Sequence, residues 1–411
     1  MSGSFINRSC DSGQRRCLTG KAEGNAERAT GIAHVDLAGH VVAWRYRASS
    51  VSCMVVIALM PPPAHPRDRA NLERVAEAAG VSRATVSRVV NGWTSVTPDL
   101  RDRVERAIHE LGYAPNLAAR SLVTRRSDTV ALVASEPDAR VFGDPFFAGI
   151  VRGVGQECMR VGLQMTLLMA HSAADLDRIE TFLRTAPVDG VLLISEHAQH
   201  DPLPDALRRA GVPFVIGGRP FHDEPPVAYV DNDNIVGGRL AAERLVEQGR
   251  TIIGTVAGPQ DMTAGIDRLA GFRSALGRRF RAGRVERADF TQQGGEAATA
   301  RLLGSAPELD GLFVASDLMA LGALRALSRA GRRVPEDVAV VGFDDITAAA
   351  QSDPPLTTIR QETLLQGRAM VRLLLAQHRP DLVPVPDDSL PDLTDAGHLV
   401  LPVRLVVRHS G

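Results

Sequence analysis

The sequence predicts an α/β protein, with a three-helix headpiece followed by two doubly wound parallel-sheet lobes. From residue 129 onward, short apolar runs alternate with amphipathic segments, the pattern of parallel strands covered by helices on both faces. These units are too numerous for one sheet, so we expect two similar lobes. Ahead of them, residues 72–111 show helical apolar spacing broken by glycine-containing turns.

Residues 1–66 form the first predicted region, and they lack sustained periodicity. The apolar run at 51–60 is too short to cross a bilayer, and it lies too far from residue 1 to act as a signal peptide. We therefore expect a disordered or wrongly assigned N-terminal extension, with translation starting at Met54 or Met60 instead.

The composition excludes several kinds of chemistry. Lys21 is the only lysine among the 411 residues, so the predicted folded regions can build neither a Walker-type phosphate loop nor a Schiff-base enzyme. The four cysteines and eleven histidines show no metal-binding spacing, and neither G-x-S-x-G nor H-E-x-x-H occurs. The sequence thus predicts no enzyme, no cofactor and no metal. The sparse cysteines fit a reducing cytoplasm.

The headpiece, assigned to residues 67–126, is predicted from helix spacing and caps. A first amphipathic helix ends before Gly80, where a residue tolerant of positive φ is favoured. Ser82 is a suitable N-cap for a second helix. A third helix starts with Thr97 as N-cap and ends before Gly112. Three short helices with such a turn are typical of a helix-turn-helix unit.

The second helix carries the residues expected to read DNA. Its N-terminal part would lie in the major groove, where arginine can bond guanine and small apolar groups can contact thymine. Residues 67–126 hold eleven arginines against seven acidic residues, a local excess of positive charge. A generic three-helix packing unit is the alternative. The candidate base-reading residues are Arg83, Ala84, Thr85, Ser87, Arg88 and Asn91.

Residues 72–91, LERVAEAAGVSRATVSRVVN, resemble the headpiece of the LacI/GalR (lactose-repressor) family almost position for position. The later stretch GYAPNLAARSL resembles that family's hinge helix, which the resemblance places at about 116–124. In the family, two hinge helices of a homodimer enter the minor groove at the centre of a pseudopalindromic operator, and a leucine from each wedges between base pairs. The alternative is a buried helix end. The matching positions are Asn116, Ala119, Arg120 and Leu122.

The core, residues 127–411, resembles the two-lobed effector-binding and dimerisation core of the same family, which is of periplasmic-binding-protein type. The matching motifs are DPFFAGI, DRLAGF, ASDLMALGALRAL, VGFDD, PPLTTI and LPVRLVVRHS. A proline- and aspartate-rich stretch at about 380–397 departs from the family pattern and is expected to be an inserted loop. The predicted strands span 130–134, 164–169, 190–194, 213–216, 252–257, 311–315 and 338–342. The predicted helices include 146–161, 235–248, 266–280, 318–330 and 364–377.

The family resemblance also implies effector contacts in a cleft between the lobes. Arginine and carboxylate groups suit sugar hydroxyls, and aromatic rings suit an apolar sugar face. Arg268 and Asp344 are favoured as such contacts, whereas the two aromatic candidates could equally be core residues. Asp317 could instead cap a helix, and Ser316 replaces a residue that is often Asn in the family. The six candidates are Phe147, Arg268, Phe290, Ser316, Asp317 and Asp344.

Together these features predict a dimeric, cytoplasmic repressor with a controlled affinity for double-stranded operator DNA. The controlling molecule would be a small effector, a sugar or sugar derivative, in the interlobe cleft. Two alternatives remain open at this point: a ligand-insensitive DNA-binding protein and a stand-alone sugar-binding protein. No membrane association is expected.

Overall fold

The computed structural model describes the backbone of strands within residues 5–55. With side chains it describes residues 71–90, 93, 96–113, 127–170, 172–185, 188–198, 202–221, 226–383, 390 and 397–411. The chain divides into two compact units, Met1–Pro115 and Asn116–Gly411. Within these described ranges, no helix has both the length and the apolar character needed to cross a membrane.

The first unit begins with an antiparallel sheet whose strands pair in chain order. They are β1 (Phe5–Ser9), β2 (Arg16–Ala22), β3 (Ala29–Val35), β4 (Val41–Ala48) and β5 (Val51–Val55). The sequence indicated no regular structure in this stretch. A later translation start at Met54 or Met60 is independent of these strands and stays a prediction.

The headpiece contains α1 (Leu72–Ala79), α2 (Arg83–Val90) and α3 (Pro98–Leu111). Its core is formed by Val75, Val86 and Val104, which are fully buried and come one from each helix. Apolar residues at helical spacing therefore pack as the sequence predicts, and together they bury one face of each helix.

Most of the predicted headpiece caps are present. Gly80 and Gly112 end α1 and α3 with φ of 63° and 57°, a region that costs glycine little. The Ser82 hydroxyl accepts a hydrogen bond from the Thr85 amide at 3.1 Å, which caps the start of α2. Thr97 occupies the predicted cap position of α3, but its side chain makes no capping hydrogen bond.

Lobe 1 is a six-stranded, wholly parallel sheet in the order β16-β10-β9-β8-β6-β7. Its strands are β6 (Thr129–Ala134), β7 (Gln164–Met169), β8 (Gly190–Ile194), β9 (Phe214–Gly217), β10 (Tyr229–Asn232) and β16 (His398–Leu401). Its helices are α4 (Asp138–Gly143), α5 (Pro145–Arg160), α6 (Ala173–Thr185), α7 (Leu203–Ala210) and α13 (Thr363–His378).

Lobe 2 repeats this architecture in the order β12-β11-β13-β14-β15-β17, with only β17 antiparallel. Its strands are β11 (Ile253–Ala257), β12 (Val285–Arg287), β13 (Gly311–Val314), β14 (Ala339–Asp344), β15 (Thr357–Arg360) and β17 (Arg404–Val406). Its helices are α8 (Asn234–Glu247), α9 (Thr263–Leu276), α10 (Gln292–Ser305), α11 (Asp317–Arg329) and α12 (Thr347–Ala350). Single 3-10 turns lie at Gly277–Arg279, Ala282–Arg284 and Pro380–Leu382.

The described chain crosses between the lobes between β10 and α8, between β15 and α13, and between β16 and β17. The first two crossings are hydrogen-bonded to each other. The Asn232 side-chain amide donates to Gln366 Oε1 at 2.8 Å, and the Glu362 backbone amide donates to Asn232 Oδ1 at 3.0 Å. The carboxyl ends of both sheets therefore lie beside the same crossing region, where open α/β sheets bind ligands.

These lobes confirm the predicted fold class. The seven predicted strands correspond to β6, β7, β8, β9, β11, β13 and β14, with ends that agree to within two residues. Strands β10, β12, β15 and β16 were not predicted, because their three or four residues show little periodicity and, unlike the equally short β9 and β13, include polar or charged side chains. The hinge helix expected at 116–124, and 384–389 and 391–396 of the expected loop, lie outside the described residues.

Two glycines let α8 and α9 approach closely enough to bring Arg268 to the cleft. A Cβ on Gly238 would lie 2.0 Å from the Arg268 carbonyl oxygen, and one on Gly271 would lie 1.9 Å from the Ile235 carbonyl oxygen. Any larger residue at either position would force the two helices apart. The backbone that carries Arg268 is thus fixed by packing.

Candidate functional site

A cavity of about 700 Å³, open to solvent at its mouth, lies between the lobes at the carboxyl ends of both sheets. Lobe 1 contributes Arg140, Asp144 and Phe147 from the segment after β6. It also contributes Arg219 from the loop after β9 and Asp231 from the end of β10. Lobe 2 contributes Thr263, Arg268, Phe290, Ser316 and Asp344, and Gln361 comes from the crossing after β15. Its mixed lining of charged, polar and aromatic side chains suits a small organic ligand.

Arg268 is held rigidly on the cavity wall although its charge is buried. Its Nε donates to Asn234 Oδ1 at 2.8 Å, and its Nη1 donates to the Ala315 carbonyl at 2.7 Å. Nη1 also lies 3.5 Å from Asp344 Oδ1, and the guanidinium carbon lies 3.7 Å from the centre of the Phe343 ring. Nη2 has no hydrogen-bond partner within the described residues, which leaves it available for a ligand.

Asp344, at the end of β14, is the acceptor that faces Arg268. Gln361 donates its side-chain amide to Asp344 Oδ1 at 2.6 Å. Burial raises the pKa of Asp344 to about 7, even though the nearby Arg268 charge acts in the opposite direction. A carboxyl group in this state can accept a hydrogen bond from a sugar hydroxyl, or donate one when protonated.

Two further carboxyl groups line the cavity and were not identified from the sequence. Asp144 caps α5 by accepting from the Phe146 amide at 3.0 Å, and burial raises its pKa. Asp231 accepts from the Asn232 amide at 2.8 Å and from Asn234 Nδ2 at 3.1 Å. Burial raises the pKa of Asp231 to about 6. The cavity therefore presents three carboxyl groups, Asp144, Asp231 and Asp344, whose pKa values burial raises.

The predicted aromatic residues, Phe147 and Phe290, line the cavity and are also well buried, with 1% and 7% of their surface exposed. The Arg140 guanidinium lies 6.0 Å from the first ring centre and 5.2 Å from the second. Arg140 was not predicted as a site residue. It comes from the short helix α4, whose six residues are too few to show a pattern.

Ser316 and Asp317 lie side by side but differ in role. Ser316 lines the cavity and caps α11, its hydroxyl accepting from the Met319 amide at 3.3 Å. Asp317 does not line the cavity. Its carboxylate accepts from the Ile346 amide at 3.0 Å and from the Thr358 hydroxyl at 2.6 Å. Asp317 is therefore neither a cavity residue nor the helix cap that the sequence left open, because its carboxylate is occupied in joining three segments of lobe 2.

A polar contact joins the lobes at one side of the cavity. His197 of lobe 1 places Nδ1 2.8 Å from Asp261 Oδ2 of lobe 2, and Nε2 3.3 Å from Glu136 Oε1. The Ala198 amide also donates to the Asp261 carbonyl at 2.7 Å. The hydrogen bonds to the two carboxylates, that to Glu136 first, raise the pKa of His197. This contact forms only when the lobes are close together.

Backbone strain is concentrated at the cavity. Among the described residues, the non-glycine positions with positive φ include Ser195 at 64°, Phe290 at 63° and Asp344 at 115°, and all three line the cavity. Such conformations persist only where the surrounding packing enforces them, and they are common at ligand sites. The strain supports the assignment of this cavity as the functional site.

The candidate DNA-reading residues of α2 lie on one side of the headpiece. Arg83, Ala84 and Arg88 are exposed, and Thr85 and Ser87 are partly exposed. Arg83 Nη1 lies 3.1 Å from Glu73 Oε1, and both side chains are mostly in solvent, so this ion pair contributes little and can be exchanged for DNA. The other candidates, Asn91, Asn116, Ala119, Arg120 and Leu122, lie outside the described residues.

Three of the cavity residues that sequence reasoning missed lie together at the end of one short strand. Asp231, Asn232 and Asn234 belong to the run DNDN at the end of the unpredicted strand β10. A polar run directly after the apolar VAYV is the signal that could have identified them. Among the described residues, no group of three or more His, Cys, Asp or Glu could hold a metal ion.

Comparison with known proteins places this chain among transcription regulators. A family model described as bacterial regulatory proteins, lacI family, matches residues 71–116, and one described as periplasmic binding protein-like domain matches residues 242–410. The HTH-type transcriptional regulator CelR of Thermobifida fusca is 51% identical over 349 residues, which are 84% of this chain and 99% of that protein. The ribose operon repressor of Escherichia coli K12 is 33% identical over 332 residues, 77% and 98% of the two chains.

Solved structures show the same likeness. A transcriptional regulator CelR-cellobiose complex has 49% identity and a TM-score of 0.65, covering 84% of this chain and 100% of its own. A lac repressor dimer bound to operator and the anti-inducer ONPF has 29% identity and a TM-score of 0.69, covering 83% and 99%.

Proposed function

This chain belongs to the LacI family of bacterial transcription regulators, and we propose that it is a homodimeric repressor whose effector is a disaccharide of the cellobiose type. The family assignment makes it a DNA-binding regulator with a small-molecule effector, not an enzyme. The effector class and the site residues are the proposal. We also propose that it acts in the cytoplasm, where its operator DNA lies.

The observation that carries the proposal is the cavity in which Arg268, Asp344 and Gln361 converge. They hold adjacent donor and acceptor groups on one wall, the arrangement that a pair of neighbouring sugar hydroxyls requires. Phe147 and Phe290 supply the apolar surface for a sugar ring. The strong similarity to CelR, solved with cellobiose, supports a disaccharide in this cavity.

The charge of the cavity favours a neutral ligand over an anion. Arg219 forms a bidentate ion pair with Asp267, in which Nε and Nη2 each donate to a carboxylate oxygen at 2.9 Å. Arg140 Nη1 lies 2.6 Å from Glu136 Oε1. Arg268 faces Asp344 in the same way. Since each arginine has a carboxylate partner, no strong positive field remains for a phosphate or carboxylate ligand. A ligand rich in hydroxyl groups matches the mixed donors and acceptors.

The mechanism follows from the contacts that both lobes make to one cavity. An effector that touches Asp231 of lobe 1 and Arg268 of lobe 2 favours one arrangement of the lobes over others. Operator binding changes only to the extent that the effector binds the two arrangements differently, and the coupling is reciprocal. Two α2 helices of the dimer would read the operator half-sites, with Leu122 at its centre.

Isothermal titration calorimetry of the full chain with cellobiose tests the effector, with ribose as the comparison sugar. We expect saturable binding of one cellobiose per chain. In Arg268→Gln this binding should be weaker by about tenfold or more, because the buried guanidinium donors of Arg268 are lost. Arg301→Gln is the matched control, since Arg301 pairs with Glu286 on the surface of lobe 2. Cellobiose binding that is absent, or equally weakened in both variants, would contradict the proposal.

A further inference from the structure

The chain that enters lobe 1 is held by one carboxylate. Asp189, just before β8, accepts from the Ser127 amide at 2.7 Å and from the Ser127 hydroxyl at 3.0 Å through Oδ1. Its Oδ2 accepts from the Asp128 amide at 3.1 Å. Asp128 has φ of 52°, a costly conformation that these hydrogen bonds maintain. We call Ser127, Asp128 and Asp189 the lobe 1 anchor.

Lobe 2 contains the same arrangement. Asp310, just before β13, accepts from the Thr251 amide at 2.9 Å, the Thr251 hydroxyl at 3.0 Å and the Ile252 amide at 2.8 Å. In each lobe an aspartate followed by glycine precedes the third strand in chain order and holds the residues before the first. The anchor is thus a general means of fixing the first strand in this fold.

The two anchors differ in what they hold. The chain before Thr251 comes from α8 of lobe 2 itself. The chain before Ser127 comes, in sequence, from residues 114–126 and the DNA-binding headpiece. Only the lobe 1 anchor has a described cationic partner: Arg379 Nη1 lies 3.2 Å from Asp189 Oδ2 and 3.8 Å from Asp128 Oδ1. Asp189 and Arg379 are each only 12% exposed.

Arg379 connects this anchor to the effector cavity. It follows directly after α13, whose 16 residues span about 24 Å. At the other end of α13, Gln366 lines the cavity and bonds Asn232, while the preceding Gln361 bonds Asp344. Helix α13 is packed tightly on α5, since a Cβ on Gly153 would lie 2.1 Å from the Leu364 carbonyl oxygen. Such a helix moves as a rigid body.

We propose that Asp189 and Arg379 are positioning residues that tie the DNA-binding segment to lobe 1 and relay the state of the effector cavity to it through α13. The inference rests on the proposed function for the identity of the effector. It makes the lobe 1 anchor part of the regulatory mechanism, whereas the lobe 2 anchor serves stability alone.

The test compares Asp189→Asn with Asp310→Asn, which remove the same kind of carboxylate from matching positions. Arg379→Gln is the second variant, because it leaves Asp189 and its backbone contacts in place. The full-length proteins are titrated onto an operator duplex selected from random DNA, with and without cellobiose, by fluorescence anisotropy. Calorimetry with cellobiose and thermal unfolding accompany each variant.

We expect Asp189→Asn and Arg379→Gln to weaken effector-free operator binding about tenfold and to bring the ratio of operator Kd with and without cellobiose towards one. Cellobiose affinity without DNA should stay within about threefold of wild type, because neither residue touches the cavity. Asp310→Asn should lower the unfolding temperature as much as Asp189→Asn does, yet keep wild-type operator affinity and response.

The inference is overturned if Arg379→Gln keeps wild-type operator affinity and response, or if Asp310→Asn loses them to the same extent as Asp189→Asn. Failure of the proposed function has a different signature. A wild-type chain that binds the operator but does not respond to cellobiose contradicts the effector assignment. In that case the two anchors are still compared through the effector-free operator affinities of Asp189→Asn and Asp310→Asn.

Discussion

Asp317 has no exposed surface and the side chain of Asp344 is 8% exposed, yet only Asp344 faces the cavity. Asp344 meets Arg268 and Gln361 at the ligand side. Asp317 is bonded to the Ile346 amide and the Thr358 hydroxyl inside lobe 2. The residue type and the sequence neighbourhood are therefore insufficient to identify a ligand contact, because the hydrogen-bond partners decide the role.

Asparagine substitutions should separate these two roles. Asp344→Asn should weaken cellobiose binding about tenfold with little change in the free energy of unfolding, because it removes the charge that faces Arg268. Asp317→Asn should lower the free energy of unfolding by about 1–3 kcal/mol, because an amide nitrogen would replace one of the two oxygens that accept from the Ile346 amide and the Thr358 hydroxyl. Calorimetry and urea unfolding measure the two effects. Equal loss of cellobiose affinity in Asp317→Asn, with unchanged stability, would return Asp317 to the site.

His197 makes the closed arrangement of the lobes sensitive to pH. Its raised pKa means that the contact with Glu136 and Asp261 binds a proton more tightly than an open arrangement does. The stabilisation is therefore complete below the ordinary pKa of histidine and is lost as pH rises through the raised value. The charged groups around it are Glu136, Asp261 and Arg140.

Cellobiose affinity should accordingly fall by a few-fold as pH rises through the range in which imidazole titrates. Asp231 and Asp344, with pKa values of about 6 and about 7, titrate in the same range. The contribution of His197 is therefore the difference between the pH profiles of wild type and His197→Gln. His197→Gln keeps hydrogen-bonding capacity without the charge and should show a shallower pH dependence. Calorimetry at several pH values decides this, and identical profiles would remove His197 from the closure.

Sequence reasoning placed five of its six cleft candidates on the cavity wall, namely Phe147, Arg268, Phe290, Ser316 and Asp344. Their role as effector contacts stays a prediction. The residues it missed lie in short segments: Arg140 in the six-residue helix α4, Asp231 in the four-residue strand β10, and Arg219 in the loop after β9. Such short segments carry no periodic signal, and which of them converge depends on the sheet order, which is set by contacts distant in sequence.

At the scale of elements, α2 is the part whose sequence most directly specifies a function. Its start is fixed by the Ser82 cap, and its buried Val86 and Val89 leave the arginines outside. Arg83→Ala should change the base preference found by binding-site selection, because a bidentate contact to guanine would be lost. Arg125 follows the expected hinge helix and lies outside the described residues, and Arg125→Ala should instead weaken binding to all sequences and reduce the salt dependence.

Glu73→Gln is the control for the Arg83 prediction, since it removes only the surface partner of Arg83. This variant should keep the wild-type base preference. If Arg83→Ala loses affinity equally for all sequences, Arg83 is a phosphate contact and α2 reads its operator through other residues.

The elements with the weakest sequence signals have a large effect on the architecture. Strands β10, β15 and β16 have four residues each, and each leads directly into a crossing between the lobes. Longer elements such as α5 and α13 were predictable because apolar residues recur over several turns. Sequence reasoning therefore identified the two lobes but not the way in which the chain passes between them.

At the scale of the whole molecule, the described chain crosses three times between the two lobes that line the cavity. The crossings let the two lobes change their arrangement while each lobe stays intact, because each has its own buried core. The effector contacts both lobes, and the headpiece precedes lobe 1 in the chain. Regulation therefore requires that occupation of the cavity changes operator affinity.

The measurement that tests this requirement most directly is operator binding by fluorescence anisotropy, with cellobiose added at saturation to the full-length protein. We predict that the operator Kd changes by about tenfold or more, and that Arg268→Gln binds the operator but needs about tenfold more cellobiose for the same change. An operator Kd that is the same with and without cellobiose, in a protein that calorimetry shows to be saturated, would contradict the account.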